Sequence, residues 1–258
     1  MKKFELTNEF ITNMFGTKLF RIRALVEFGD VEAGELGGYV EKESNLGHDD
    51  NAWVYDNAWV YGDAQVSGDA LVYDNARVYG DAQVSGDALV YDNAWVYGDA
   101  LVYGNAWVYG NALVCGNALV YDNARVYGDA QVSGDARVCG NARVYDNAWV
   151  YGDAQVSGDA RVCGNARVYG DARVCGNGDY AYAHGFGSVN RTTTFFRLKD
   201  GGVGVRCGCF YGTLAQFRDK IRETHGESAI AEEYLDLAAL MEKRFRRTGN
   251  EQKTEEES

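Results

Sequence analysis

Residues 100–127 read ALVYGNAWVYGNALVCGNALVYDNARVY, with a valine at every sixth position. The spacing continues without a break from Val54 to Val174, making 21 consecutive units of the form (G/D)-(D/N)-A-x-V-(Y/S/C). Alanine and valine stand two places apart, so they share one side of an extended chain, while x and the residue after valine share the other. Ala-x-Val-Tyr is therefore a short strand with a small inner face. The pair that follows, Gly-Asp, Gly-Asn or Asp-Asn, tolerates positive φ and turns the chain sharply. Valine suits a pleated inner surface and alanine a narrow corner. Half of the chain is thus one strand and one corner, repeated.

Composition agrees with a single turn copied many times: 32 glycines accompany no proline. The apolar content of 46% is ample for a core, and the formal net charge of −13 opposes binding to duplex nucleic acid or an anionic membrane. No stretch approaches the roughly 20 apolar residues of a membrane span. The start, MKKFELTNEF, has no apolar signal-peptide segment, so a cytoplasmic location is expected. Cys115, Cys139, Cys163 and Cys175 occupy the slot otherwise held by Tyr or Ser, which reads as drift and not as a disulfide framework.

The six-residue period is similar to the hexapeptide repeat, in which three units close one triangular coil and the coils stack as parallel sheets. That resemblance implies a left-handed sense and an 18-residue coil, and hence about seven coils from 21 units. The expected fold is all-β dominated: a left-handed parallel β-helix over 52–178 with an N-terminal strand cap over 1–51. A small α+β module over 179–248 and a disordered tail over 249–258 complete it.

On an 18-residue coil the outward residues sort into three walls. One stacks Tyr55, Tyr73, Tyr91, Tyr109, Tyr127 and Tyr145 about 4.8 Å apart, beside Trp53, Leu71, Leu89 and Trp107 and then Arg125, Arg143 and Arg161. A second carries Trp59, Trp95 and Trp149 with Tyr61, Tyr79, Tyr97, Tyr151 and Tyr169, and the third is plainer, with Gln65, Gln83, Ser67 and Ser85. Contiguous exposed aromatics exceed what a soluble monomer leaves open, so a homo-oligomer, dimer or trimer, is expected through the Tyr55–Tyr145 row, Trp53 and Trp107. The sharper reading is a recognition surface on which bases or sugars stack. Cys139 and Cys175, two coils apart at about 9.6 Å, are too distant for a disulfide.

Both rod ends need caps. Thr17 to Val26 alternates like a strand, and Leu36–Val40 with Leu46 reads as an imperfect first coil, offset by two residues from the main register. The phrase from Gly37 to Leu46 resembles the N-terminal cap of hexapeptide-repeat proteins from bacteria and their phages. After Cys175, Thr192 to Lys199, the turn Asp200-Gly201, and Val203 to Tyr211 read as a hairpin with Val203, Val205, Cys207, Cys209 and Tyr211 on one face. Two helices follow, the first capped by Thr213 with Gln216 and ended by Gly226, the second capped by Ser228 with the stripe Ile230, Tyr234, Leu237, Met241 and Phe245. The phrases Thr192–Phe196 and Cys207–Thr213 resemble a C-terminal domain appended to repeat proteins of phage origin, one with no activity attached to it.

Evidence of catalysis is thin. Hexapeptide-repeat acyltransferases, which the coil resembles, use a histidine base, and none lies within residues 52–174. His48 stands at the entry, and His184 and His225 beyond the end are the weak catalytic candidates. Cys207 and Cys209 with those two histidines could supply four zinc ligands, but a one-residue spacing between cysteines is too close for a zinc knuckle, so no metal and no cofactor are expected. The leading expectation is a non-enzymatic oligomeric binding or scaffold protein of phage or mobile-element origin, acting through the aromatic walls and the C-terminal module on a protein partner. A second is sequestration of a small anionic, nucleotide-like ligand, as in counter-defence, by Arg191, Thr192, Thr193, Thr194, Arg197 and Arg206. The third is an acyltransferase.

Overall fold

The computed structural model describes residues 2–187 and 189–256, with 249–256 as backbone alone. Three strands precede the repeat, β1 (Phe4–Thr12), β2 (Lys18–Ala24) and β3 (Leu36–Val40), and the repeat supplies twenty-one short ones, β4 (Trp53–Val54) through β24 (Arg173–Val174). Each repeat strand pairs in parallel with the strand three places on, so that Leu89 lies beside Trp107 and Val90 beside Val108. Residue i therefore meets residue i+18, and three parallel sheets, each with seven repeat strands, enclose the rod. Every repeat valine and alanine from Ala52 to Val174 is fully buried. The 18-residue coil is as expected, and the imperfect first coil brings the rod to about eight turns. In that first coil Val40 pairs with Val60 and Leu46 with Val66, twenty residues on (60 minus 40), which is the two-residue offset seen in the sequence.

The corners show why glycine and aspartate alternate in the first corner position. That residue has positive φ, for example 72° at Gly110 and 69° at Gly128, and a Cβ on Gly128 would stand 3.0 Å from the amide nitrogen of Asp146 in the next coil. Asp92 carries such a Cβ at φ 58°, and its carboxylate accepts the N–H of Gly110 at 3.0 Å. Asp122 and Asp146 accept from Gly140 and Gly164 in the same way, at 3.1 and 3.3 Å. Aspartate is admitted where its side chain satisfies the backbone one coil above, which offsets the left-handed conformation.

The N-terminal cap continues one wall, since β1 pairs antiparallel with β2, β2 with β3, and β3 in parallel with Trp59–Val60. It covers the open coil with Phe4, Ile22 and Trp53, all fully buried. Lys3 reaches in to donate to the Ala52 carbonyl at 2.8 Å, and Asn45 donates to the Gly62 and Ala64 carbonyls at 3.0 and 2.8 Å. Both side chains stand in for the N–H groups of a coil that is not there.

The C-terminal module is a four-stranded antiparallel sheet, β25 (Tyr180–Phe186), β26 (Arg191–Arg197), β27 (Val203–Cys207) and β28 (Phe210–Thr213), followed by α1 (Leu214–His225) and α2 (Ala229–Glu256). The expected single strand over Val203–Tyr211 is two strands, turned at Gly208 (φ 58°) and Cys209 and paired Cys207 to Phe210, so Cys209 and Tyr211 do not share the face of Val203 and Val205. Both helix caps form as expected: Thr213 and Gln216 make a capping box, and Ser228 accepts the N–H of Ala231. The stretch 249–258, expected as a disordered tail, lies outside the residues whose side chains are described. Strand alternation splits β26 between two cores. Phe196 belongs to the rod interior with Tyr180, and Phe195 packs with Phe217, Tyr234 and Phe245 of the helices. Among the described residues no helix is long and apolar enough to cross a membrane.

Asp92→Ala should lower stability by about 1–2 kcal/mol, because the corner hydrogen bond is lost while the left-handed strain remains. Asp92→Gly, which removes the Cβ as well, should cost less than half of that. Urea melts of the two variants check the order, and equal losses would show that backbone strain plays no part.

Candidate functional site

The outer walls and one cleft carry the functional side chains. On the wall of Leu71, Leu89 and Trp107, the rings of Tyr73, Tyr91, Tyr109, Tyr127 and Tyr145 stack at centroid distances of 4.8, 4.9, 4.8 and 5.0 Å, within 4° of parallel. Tyr61, Tyr79 and Tyr97 repeat this on the neighbouring wall at 4.9 and 5.0 Å. The tryptophans are covered by cations instead: Arg77 lies 4.3 Å over Trp59 and 5.1 Å over Trp95, and Arg125 lies 4.2 Å over Trp107. Ring faces are thus spent within the rod, and the walls present ring edges, hydroxyls and Leu71, Leu89, Leu101 and Leu119. Trp53 offers no surface, because the cap buries it against Phe4 and Phe28. Tyr55 meets Trp53 edge-on at 6.5 Å.

Three tyrosine rows end one coil short of a cysteine: Tyr97 before Cys115, Tyr121 before Cys139 and Tyr145 before Cys163. Hydrogen bonding to the thiol, together with burial, pushes each of these three phenols up to about 12. Tyr91, inside the longest row, is pushed up to about 12 by burial and then by the neighbouring Tyr73 and Tyr109.

Where the last coils meet the module, a cleft of about 590 Å³ opens between Trp149, Arg167, Asn147 and Asn165 of the rod and His184, Arg191, Thr192 and Gly208 of the module. Arg167 lies 4.7 Å over Trp149, and His184 Nδ1 is 2.9 Å from the Thr192 hydroxyl oxygen. Of the six residues expected to hold an anion, the structure brings only Arg191 and Thr192 to this cleft. Thr193 and Thr194 are fully buried, Thr193 donating to Cys207 Sγ and Thr194 accepting the N–H of Arg167 at the rod's end. Arg197 pairs with buried Asp179 at 3.7 Å and donates to the Phe245 carbonyl at 2.8 Å, tying α2 to β26 and to the turn before β25. Arg206 donates to the Phe210 carbonyl and lies 5.5 Å over Tyr169. A basic strand read as one site is thus mostly a weld between rod and module. Trp149, Arg167 and the two asparagines were hidden in the repeat, and no sequence signal set them apart from other wall residues.

His225 stacks at 5.9 Å on Tyr234 beside a second cavity of about 230 Å³, which Cys207 and Cys209 also line, whereas His184 faces the first cleft. The four residues weighed and set aside as zinc ligands are split between two openings, and among the described residues no three His, Cys, Asp or Glu side chains gather as a metal site.

Coils of 18 residues, walls in register and capped ends define a parallel β-solenoid repeat protein. More particularly, the rod matches the family model described as the YdcK beta solenoid repeat, at residues 64–80, 82–98, 94–110, 112–128, 118–134, 136–152, 154–166 and 160–176. No curated protein matches the chain.

The tyrosine rows give a pH signature. The folded-state values of Tyr91, Tyr97, Tyr121 and Tyr145 lie above the ordinary phenol value of 10.0, so the fold favours the protonated form of these rings. That stabilisation is complete below pH 10 and is lost as the pH rises through about 12. Denaturation midpoints should stay level up to pH 10 and then fall in step with phenolate absorbance. Ionisation of all tyrosines near pH 10 without loss of structure is the opposite outcome.

Proposed function

We propose that this β-solenoid is a non-enzymatic binding scaffold, a stiff rod that self-associates as a dimer or trimer through its outer walls and offers its C-terminal module to a protein partner. The observation that carries this reading is the stripe of Leu71, Leu89 and Trp107, partly exposed beside the stacked row Tyr73, Tyr91 and Tyr109, with no charged side chain in either row over three coils before Arg125 stacks on Trp107. An uncharged row of this kind on a protein of net charge −13 is the part of its surface that a second copy covers with least desolvation cost. Ring edges and hydroxyls at the rim supply hydrogen bonds, as is usual for interfaces rich in tyrosine. The likeness of Gly37–Leu46 and of Thr192–Phe196 to bacterial and phage repeat proteins supports a phage or mobile-element origin.

Light scattering at micromolar concentration should give a dimer or trimer for the wild type. The double variant Leu89→Glu, Trp107→Glu should be a monomer with an unchanged circular dichroism spectrum. A monomeric wild type overturns the reading.

A further inference from the structure

We infer that the cleft between the last coils and the C-terminal module is a binding site for a mononucleotide, a small ligand that joins a phosphate to a flat heterocycle. The lining has two guanidiniums and an imidazole, from Arg167, Arg191 and His184, and no carboxylate, on a chain with 38 Asp and Glu residues. Neither Arg167 nor Arg191 makes an ion pair among the described residues, a property they share with the remaining arginines of the repeat, and these two face one cavity. Two guanidiniums without an ion pair among the described residues, facing one cavity, match the oxygens of a phosphate, which they can engage in pairs.

The rest of the cleft fits the heterocycle. Trp149 is the most exposed tryptophan of the rod, at 37%, and is held in place by Arg167. Several corner asparagines bond to the next coil, as Asn93 does to Asn111 and Asn111 to Asp129. Asn147 and Asn165, like Asn57, Asn75 and Asn105, make no side-chain hydrogen bond among the described residues, and these two line the cleft in adjacent coils. Free amides beside an indole can read the edge of a base that stacks on the outer side of the Arg167 guanidinium, itself seated on the Trp149 ring. On the module side, Gly208 has φ 58° and any Cβ there would collide with the Arg191 guanidinium, so the turn is shaped around that side chain. Thr192, bonded to His184, adds a hydroxyl beside the cations. A cavity of about 590 Å³ lies within the usual range for small-molecule sites. The chain's overall negative charge repels a long polyanion, so a small phosphate ligand is favoured over a nucleic acid.

The test is calorimetric titration of the full chain with each of four mononucleotides, with a nucleoside and with inorganic phosphate. At least one mononucleotide should bind, with nucleoside and phosphate each weaker by about tenfold or more. Arg191→Ala and Arg167→Ala should each weaken the nucleotide by about tenfold, while Arg143→Ala, on another wall, leaves it unchanged. Trp149→Leu should weaken nucleotide and leave phosphate as it was. No binding at millimolar concentration, phosphate as tight as nucleotide, or full affinity in folded Arg191→Ala overturns the assignment. The cleft is separate from the Leu71–Trp107 stripe, so its failure would leave self-association untouched, and the converse also holds.

Discussion

Everything in the rod follows from the pairing of each residue with the one eighteen places on. The backbone bonds between coils, such as Trp107 N–H to the Ala124 carbonyl at 2.9 Å and Tyr109 N–H to the Val126 carbonyl at 3.0 Å, hold that register without exception along the repeat. Within it, every side chain stacks on those eighteen residues before and after it. Valine and alanine do so inside. Outside, tyrosine stacks on tyrosine and arginine on tryptophan, while asparagine bonds to asparagine or aspartate. Aspartate at positive φ survives because the same register brings an N–H to its carboxylate.

Stacking cannot satisfy the two ends, and there the chain departs from its repeat. At the start, Lys3 and Asn45 donate to carbonyls that would otherwise face an absent coil, and Trp53 fills the space above the first complete one. At the finish, Asp179 accepts the N–H groups of Cys175 and Gly176, and Thr194 accepts that of Arg167. These are polar residues in buried positions, each placed where a backbone group lacks its partner.

The rod was readable because its cause is local and repeated: the spacing of valines, the small inner residue and the turn pair each point to the same coil. The two-residue offset at Val40 and the helix caps at Thr213 and Ser228 were readable for the same reason. The walls were readable as rows, but not what covers them. Trp53 has the outward place of Trp107, yet the cap buries it, which depends on a fold made by residues 4 to 40 and leaves no mark on the repeat. The basic stretch from Arg191 to Arg206 fails as a single site for a related reason. Alternation along β26 sends Thr193 and Thr194 to opposite cores, and Arg197 turns toward α2, so only the strand's first residues reach the cleft. The cleft itself exists only because the module folds back over the last two coils, a contact between distant segments that no period announces.

A stack of like units tends to lose its outermost member first, because each coil is held chiefly by its neighbour. The shared strand β26 changes that at one end. Phe196 closes the rod interior while Phe195, one residue away, anchors the helices, so the last coil cannot peel away without also opening a second core. Unravelling from this end is thereby tied to the melting of a whole module, and the rod gains a cooperative stop where a bare repeat would fray.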